Sequence, residues 1–199
     1  AWHVDEYDLA RREEGTAPTT IKGHLSTLRL FLRYCAKIGA VDDDLPESVD
    51  VPTLDREQEQ SEERLAEEDA TAALEFFRNS RQFFGVPMHA FLELAWHTGA
   101  RMGSLRGLDL GDYDADEQSV EFIHRPSTGT PLKNKTNGER FVGIATPVCE
   151  ALDTYIARER SDKRDEHGRE PLFAGRQGRV TDTTIRSWTY QGTQPCLYM

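Results

Sequence analysis

The residues best placed for chemistry stand in the run Thr98-Gly99-Ala100-Arg101-Met102-Gly103-Ser104-Leu105-Arg106-Gly107-Leu108. An apolar helical face leads into it, with Met88, Phe91, Leu92, Ala95 and Trp96 at helical spacing. Gly99 falls where a helix closes through a left-handed residue. Arg101 follows at once, held on one side by that helix and on the other by a turn that Leu105 and Leu108 can anchor. A guanidinium fixed in this way suits a phosphate, to which it can donate two parallel hydrogen bonds. The plainer reading of the same residues is a solvated arginine after a helix cap.

A second basic stretch lies about 30 residues further on: Lys133-Asn134-Lys135-Thr136-Asn137-Gly138-Glu139-Arg140-Phe141-Val142. Asn137-Gly138, between segments 132–136 and 139–144, predicts a two-residue β-hairpin. Lys135 would then sit two residues before the turn, near an exposed tip. Lys133 alternates onto the same strand face, so spacing alone does not separate the two.

The two stretches, in this order and spacing, resemble the arginine box and the lysine-bearing β-hairpin of the tyrosine recombinases, the phage integrase family. That resemblance implies cleavage and rejoining of DNA through a phosphotyrosine. Attack on phosphorus builds negative charge on the non-bridging oxygens, and Arg101 would stabilise it. The leaving 5′ oxygen needs a proton, for which Lys135 is the better candidate and Lys133 the runner-up. Arg106 and Arg140, which flank the two stretches, are further candidates for phosphate contact. No metal or cofactor is expected, because side chains handle the phosphate charge.

The departures from the family pattern carry equal weight. Three positions after the first arginine the family usually has an acid, and Ser104 stands there instead. No H-x-x-R occurs: none of His3, His24, His89, His97, His124 and His167 has an arginine three places on. Tyr190 and Tyr198 precede any such box and are rejected as nucleophiles. The resemblance therefore implies a catalytic domain truncated at its C-terminal side, binding DNA without cleaving it. Two other readings remain open: a non-catalytic DNA-binding or regulatory relative, and a helical protein-interaction module.

Elements must position these residues. The pattern predicts a mainly α protein with a small antiparallel β-sheet. It consists of a helical, SAM-like core-binding domain over residues 1–51, an acidic linker over 52–64, and a truncated α+β integrase catalytic domain over 65–199. The abrupt start implies an earlier helix trimmed from the small domain. Trp2, Val4, Tyr7 and Leu9 mark a first helix up to about Glu14. After the break Gly15–Pro18, Thr19 or Thr20 is expected to cap a second helix that Gly39 stops. Ile21, Leu25, Leu28, Leu32 and Cys35 form its buried face, and Leu30, Phe31, Tyr34 and Ile38 a second apolar side.

Between these faces Lys22, Ser26, Arg29, Arg33 and Lys37 make a basic stripe. By itself such a stripe is a solvated face. Beside the later boxes, Lys22, Arg29 and Arg33 become candidate phosphate contacts. From Val41 to Arg64 the chain is acidic and interrupted by Pro46 and Pro52. Acids at Glu67–Asp69 then open a helix, consistent with the helix macrodipole.

Beyond the arginine run, Val120, Phe122 and His124 alternate as in a half-buried strand. Pro147 begins a helix with Val148, Ala151, Leu152, Tyr155 and Ile156 on its face. Leu172-Phe173 reads as a short buried segment, and residues 181–188 as a final helix. Trp96 and Trp188 read as core, His97 as packed or capping, and His167 as solvated.

The charge balance narrows the classes. Formal net charge is -11, which at first argues against a nucleic-acid partner. Residues 40–70 hold 13 acidic and 2 basic residues; residues 1–39 hold 5 and 6, and residues 71–199 hold 17 and 16. The whole excess thus lies in one central segment, leaving both flanks free to meet DNA. With 19 arginines against 5 lysines in an acid-rich chain, the composition points to a halophile, an archaeon or its virus. Cys35, Cys149 and Cys196 are far apart and lack C-x-x-C partners, so neither a disulfide framework nor a zinc site is expected. No apolar run is long enough to span a membrane and no signal peptide opens the chain, which predicts a cytoplasmic protein. The expected partner is double-stranded DNA, with the full-length protein a dimer or tetramer upon it.

Overall fold

The computed structural model describes residues 2–55, 58 and 65–194. By its internal contacts the chain divides into two units, Ala1–Arg64 and Leu65–Met199.

In the first unit, helix α1 (Trp2–Glu13) packs on helix α2 (Pro18–Lys37). The cap is not Thr19 or Thr20: α2 starts at Pro18, with Ala17 as its cap, two residues before Thr19. The proline ring presets the helical φ, and its missing N–H is one that a first turn leaves unpaired anyway. Gly39, at φ +72°, closes the other end, its N–H reaching the carbonyl of Ala36 at 2.8 Å. Ile21 and Leu25 are buried, but Leu30, Phe31, Tyr34 and Ile38 are exposed. The second apolar side of α2 therefore faces outward.

The acidic stretch after α2 is only partly a linker. A 3-10 turn at Leu45–Ser48 delivers Val49 into the core with Ile21 and Leu25, and Val49 is fully buried. Of the expected linker, residues 56, 57 and 59–64 lie outside the described residues, as do Cys196 and Tyr198.

The second unit is built around helix α4 (Pro87–Thr98), which packs against α3 (Glu67–Asn79), α6 (Thr146–Arg158) and α7 (Asp182–Gly192). Phe91, Phe173, Tyr155 and Trp188 form a linked set of ring contacts at its centre. Trp188 packs as expected, whereas Trp96 is 49% exposed on the last turn of α4. The short helix α5 (Met102–Gly107) follows at once.

A three-stranded antiparallel sheet, β1 (Tyr113–Asp114), β2 (Ser119–Phe122) and β3 (Arg140–Gly143), runs in the order β1-β2-β3. The register sets Val120 opposite Val142 and Phe122 opposite Arg140. A small hairpin, β4 (Ala174–Gly175) with β5 (Gly178–Arg179), precedes α7. The chain is thus mainly helical with a small antiparallel sheet.

The hairpin expected at Asn137-Gly138 is not formed. Lys135–Gly138 is a single 3-10 turn, and β3 pairs with β2 rather than with residues 132–136. The cause lies in the side chains: Lys133-Asn134-Lys135-Thr136 has no apolar alternation to bury, while Val120 and Phe122 do. Lys133 and Lys135 consequently lie in the long β2–β3 connection, not on one strand face.

Candidate nucleic-acid interface

Arg101 is held by its backbone alone. Gly99 caps α4 at φ +57°, its N–H bonding the carbonyl of Ala95 at 3.0 Å. The hydroxyl of Thr98 donates to the carbonyl of Leu94 at 2.7 Å and accepts the N–H of Ala100 at 3.3 Å, which closes the turn. Arg101 is then the N-cap of α5, its carbonyl taking the N–H groups of Ser104 and Leu105 at 2.8 and 3.1 Å. Two helices thus fix its Cα while the side chain is exposed, and no hydrogen bond or ion pair engages its guanidinium among the described residues.

Lys133 and Lys135 are exposed as well. Leu132 anchors the segment before them, buried and with its N–H on Nδ1 of His124 at 2.9 Å. Lys135 has φ +53°, in the left-handed region that side chains rarely adopt.

The flanking arginines are more committed. Arg106 donates through Nε to the carbonyl of Val180 at 2.8 Å and lies 3.2 Å from Asp182. Arg140 stacks its guanidinium over the Phe122 ring at 4.5 Å and donates to the carbonyl of Gly138 at 3.0 Å. Ser104 is half-buried on α5 and adds no countercharge near Arg101.

On α2 of the first unit, Lys22 is half-buried. Arg29 donates to the carbonyl of Val49, and Arg33 pairs with Glu47 at 3.0 Å. The Arg33 hydrogen bond holds the Glu47 carboxyl below its usual range. Both arginines tie α2 to the turn that buries Val49.

Just past the opposite end of α5 from Arg101 lies a set of charges that no sequence motif had marked. Asp109 accepts from Arg169 at 2.7 Å and from Arg179 at 2.5 Å. Arg179, almost fully buried, also donates to Asp165 and to the carbonyls of Arg106 and Leu108. Burial pushes the Asp165 carboxyl up, but the Arg169 N–H, the Arg179 guanidinium and the His167 N–H together hold it below its usual value. Arg125 forms a bidentate pair with Asp112 at 2.6 and 2.8 Å. The one local signal was the Asp109–Asp112 spacing, since the Asp112 carboxylate caps the Asp109 N–H at 2.8 Å. The arginine partners are remote in sequence and leave no local mark.

Two histidines, His97 and His89, serve the fold. His97 Nε2 lies 3.3 Å from the carbonyl of Gly143, joining the end of α4 to β3. His89 is fully buried, accepting the Gly85 N–H at Nδ1 and facing Glu93 at 3.2 Å through Nε2. Glu93 also takes both arms of Arg78, at 2.6 and 2.8 Å. His167 is largely exposed, 3.7 Å from Glu166.

Among the described residues, the tyrosines of the second unit are Tyr113, Tyr155 and Tyr190. Burial raises the Tyr113 phenol, helped by its hydrogen bond to Asp153 at 2.9 Å. Burial also raises the Tyr155 phenol. Tyr190 is 71% exposed on α7. Among the described residues no cluster of histidine, cysteine or acidic side chains could hold a metal ion, and no helix is long and apolar enough to cross a membrane.

Residues 63–191 match the phage integrase family, and the chain belongs to that family. The tyrosine recombinase XerD of Mycobacterium tuberculosis is 30% identical over 186 residues, which cover 88% of this chain and 56% of the relative. XerD of Halalkalibacterium halodurans is 28% identical over 171 residues, 84% of this chain and 52% of its own length. The chain therefore spans about half the length of these relatives. Among solved structures, the Tn1549 transposon integrase in complex with a circular intermediate DNA superposes with a TM-score of 0.63 at 16% identity, over 96% of this chain and 62% of its own. That likeness is one of fold.

Proposed function

We propose that the chain binds double-stranded DNA as part of a site-specific tyrosine recombinase, with Arg101 on the scissile phosphate. The observation that carries this reading is the combination at Arg101: a backbone fixed by two helices and a guanidinium without a partner among the described residues. A structural arginine spends its donors within the fold, as Arg169 and Arg179 do. Arg101 presents all of its donors outward, the arrangement that suits a phosphate whose charge grows in the transition state.

Lys135 is the proposed proton donor to the leaving 5′ oxygen, with Lys133 as the alternative, and exposure supports both. Lys133 and Arg140 are proposed as phosphate contacts beside them. Arg106 is a weaker contact, since its Nε is already spent on Val180. Lys22 and Arg33 are proposed to reach phosphate from α2, Arg33 by exchanging Glu47 for it. Arg29 contributes through the fold of α2 rather than through DNA.

These 199 residues hold no H-x-x-R, and we propose that they bind DNA without cleaving it. In the complete protein, cytoplasmic by this reading, a dimer or tetramer would assemble on DNA. The acid-rich, lysine-poor composition is further read as adaptation to strong salt, for which the test is whether the melting temperature rises with potassium chloride. Ser104, in place of an acid, favours one second reading, a DNA-binding relative without catalysis.

The test combines a binding titration on duplex DNA over a range of salt with denaturing electrophoresis on a suicide substrate. The expected result is salt-dependent binding and no covalent adduct. An adduct formed by this chain alone overturns the non-cleaving assignment and returns Tyr190 and Tyr198 to consideration. Absence of any DNA affinity overturns the function itself.

A further inference from the structure

We propose that Arg169 is a positioning residue that couples the arginine turn to the lysine segment, so that Arg101 and Lys135 meet DNA as one constellation. The inference rests on the DNA-binding reading above. Its basis is the way one guanidinium divides its donors. Nε donates to the Asp109 carboxylate at 2.7 Å, and Nη2 donates to the carbonyl of Gly107 at 3.1 Å. Both acceptors lie at the end of α5, the helix that Arg101 caps. Nη1 donates instead to the hydroxyls of Thr128 and Thr130, at 2.7 and 2.8 Å.

Thr128 and Thr130 belong to the β2–β3 connection just before the lysines. Thr130 is buried, and from it the chain reaches the anchored Leu132 and then Lys133 and Lys135. The Arg169 side chain is only 14% exposed, so its donors are held in a fixed plane by groups on both segments. Asp109 is further fixed by Arg179, so the strut is braced at its α5 end. A lysine at position 169 would keep the charge but could not span both segments at once, because its donors radiate from a single point.

The test is a double-mutant cycle on duplex-DNA affinity, run with this 199-residue chain. Lys135→Ala should cost on the order of fivefold in affinity in the parent and under about twofold beside Arg169→Lys, because a lysine that is no longer positioned has less to lose. Lys163→Ala, on the charged loop outside the proposed interface, should have the same small effect in both backgrounds. General destabilisation would move both positions alike. Thr128→Ala combined with Thr130→Val removes both hydroxyl acceptors, leaving Nη1 only the Thr128 carbonyl at 3.4 Å, and it should reproduce the non-additivity if Arg169→Lys fails to fold.

Equal cost of Lys135→Ala in all backgrounds overturns the proposal. If the parent chain shows no DNA affinity, the functional reading fails, and amide exchange then decides the strut. Faster exchange over residues 131–139 in Arg169→Lys, with α4 and α6 still protected, supports the coupling; unchanged exchange there overturns it.

Discussion

Thr130 stands so close to Gly107 that a Cβ built on the glycine would lie 3.3 Å from the threonine Cβ. The two residues belong to segments that meet only because α5 ends against the β2–β3 connection. Thr130 is buried and hydrogen-bonded by Arg169, so it has little room to yield. Gly107→Ala should therefore destabilise the unit by about 1 kcal/mol, its gain in helix propensity outweighed by overpacking. Chemical denaturation checks this, and a stabilised variant would show that the connection shifts freely.

The salt dependence of binding should separate the cations by role. Each phosphate neutralised contributes about -0.9 to the slope of log affinity against log salt. Replacing Arg101, Lys133 and Lys135 together by alanine should flatten that slope by about 2 to 3. Arg29→Ala should leave the slope unaltered and lower the melting temperature of the first unit, because its guanidinium holds the Val49 carbonyl. A flattened slope for Arg29→Ala would place that arginine on DNA after all.

The Glu93 cluster should give the second unit an acid-sensitive component of stability. Burial alone would raise the Glu93 carboxyl, but hydrogen bonds from His89 and Arg78 hold it below its ordinary value of 4.5. A carboxyl depressed in the folded state stabilises fully above its unfolded pKa, and the contribution fades as pH falls through the lower folded value. Glu93→Gln should therefore cost about 2–4 kcal/mol near neutral pH and progressively less as pH falls below 4.5. Denaturation midpoints measured across that range check it, and a cost independent of pH contradicts the ionised assignment.

Arg101 and Lys135 should be distinguishable in a protein that joins this chain to an H-x-x-R box and a tyrosine. Arg101→Ala should lower the cleavage rate by about 10²–10³, as for loss of one oxyanion donor. Lys135→Ala should lower it by about 10²–10⁴, the span for a general acid. Replacing the bridging 5′ oxygen by sulfur supplies a leaving group that needs no proton. That substrate should rescue Lys135→Ala and leave Arg101→Ala slow. Rescue of neither points to Lys133.

The arginine turn was legible because its determinants are local. Apolar spacing defined α4, and Gly99 marked its end within one residue. The turn at Asn137-Gly138 misled for the opposite reason. Its dipeptide is a strong local signal, but pairing is settled by which residues can be buried, and only β3 offers Val142 to Val120. Trp96 read as core from its type and its spacing, yet it lies exposed on the last turn of α4. Arg169 and Arg179 were invisible, since the Asp109 they share stands 60 and 70 residues earlier in the chain.

The division of labour at residue 101 has a consequence for how the position can change over time. Its main chain is consumed by folding, capping one helix directly after another ends, while its side chain has no hydrogen bond or ion pair among the described residues. Alanine or glutamine could satisfy the same backbone without disturbing a neighbour. Folding therefore exerts no hold on the arginine, and a lineage that had ceased to handle DNA would be free to lose it at no structural penalty. Persistence of arginine at this site among descendants of this sequence would thus report directly on a task performed outside the protein's own interior.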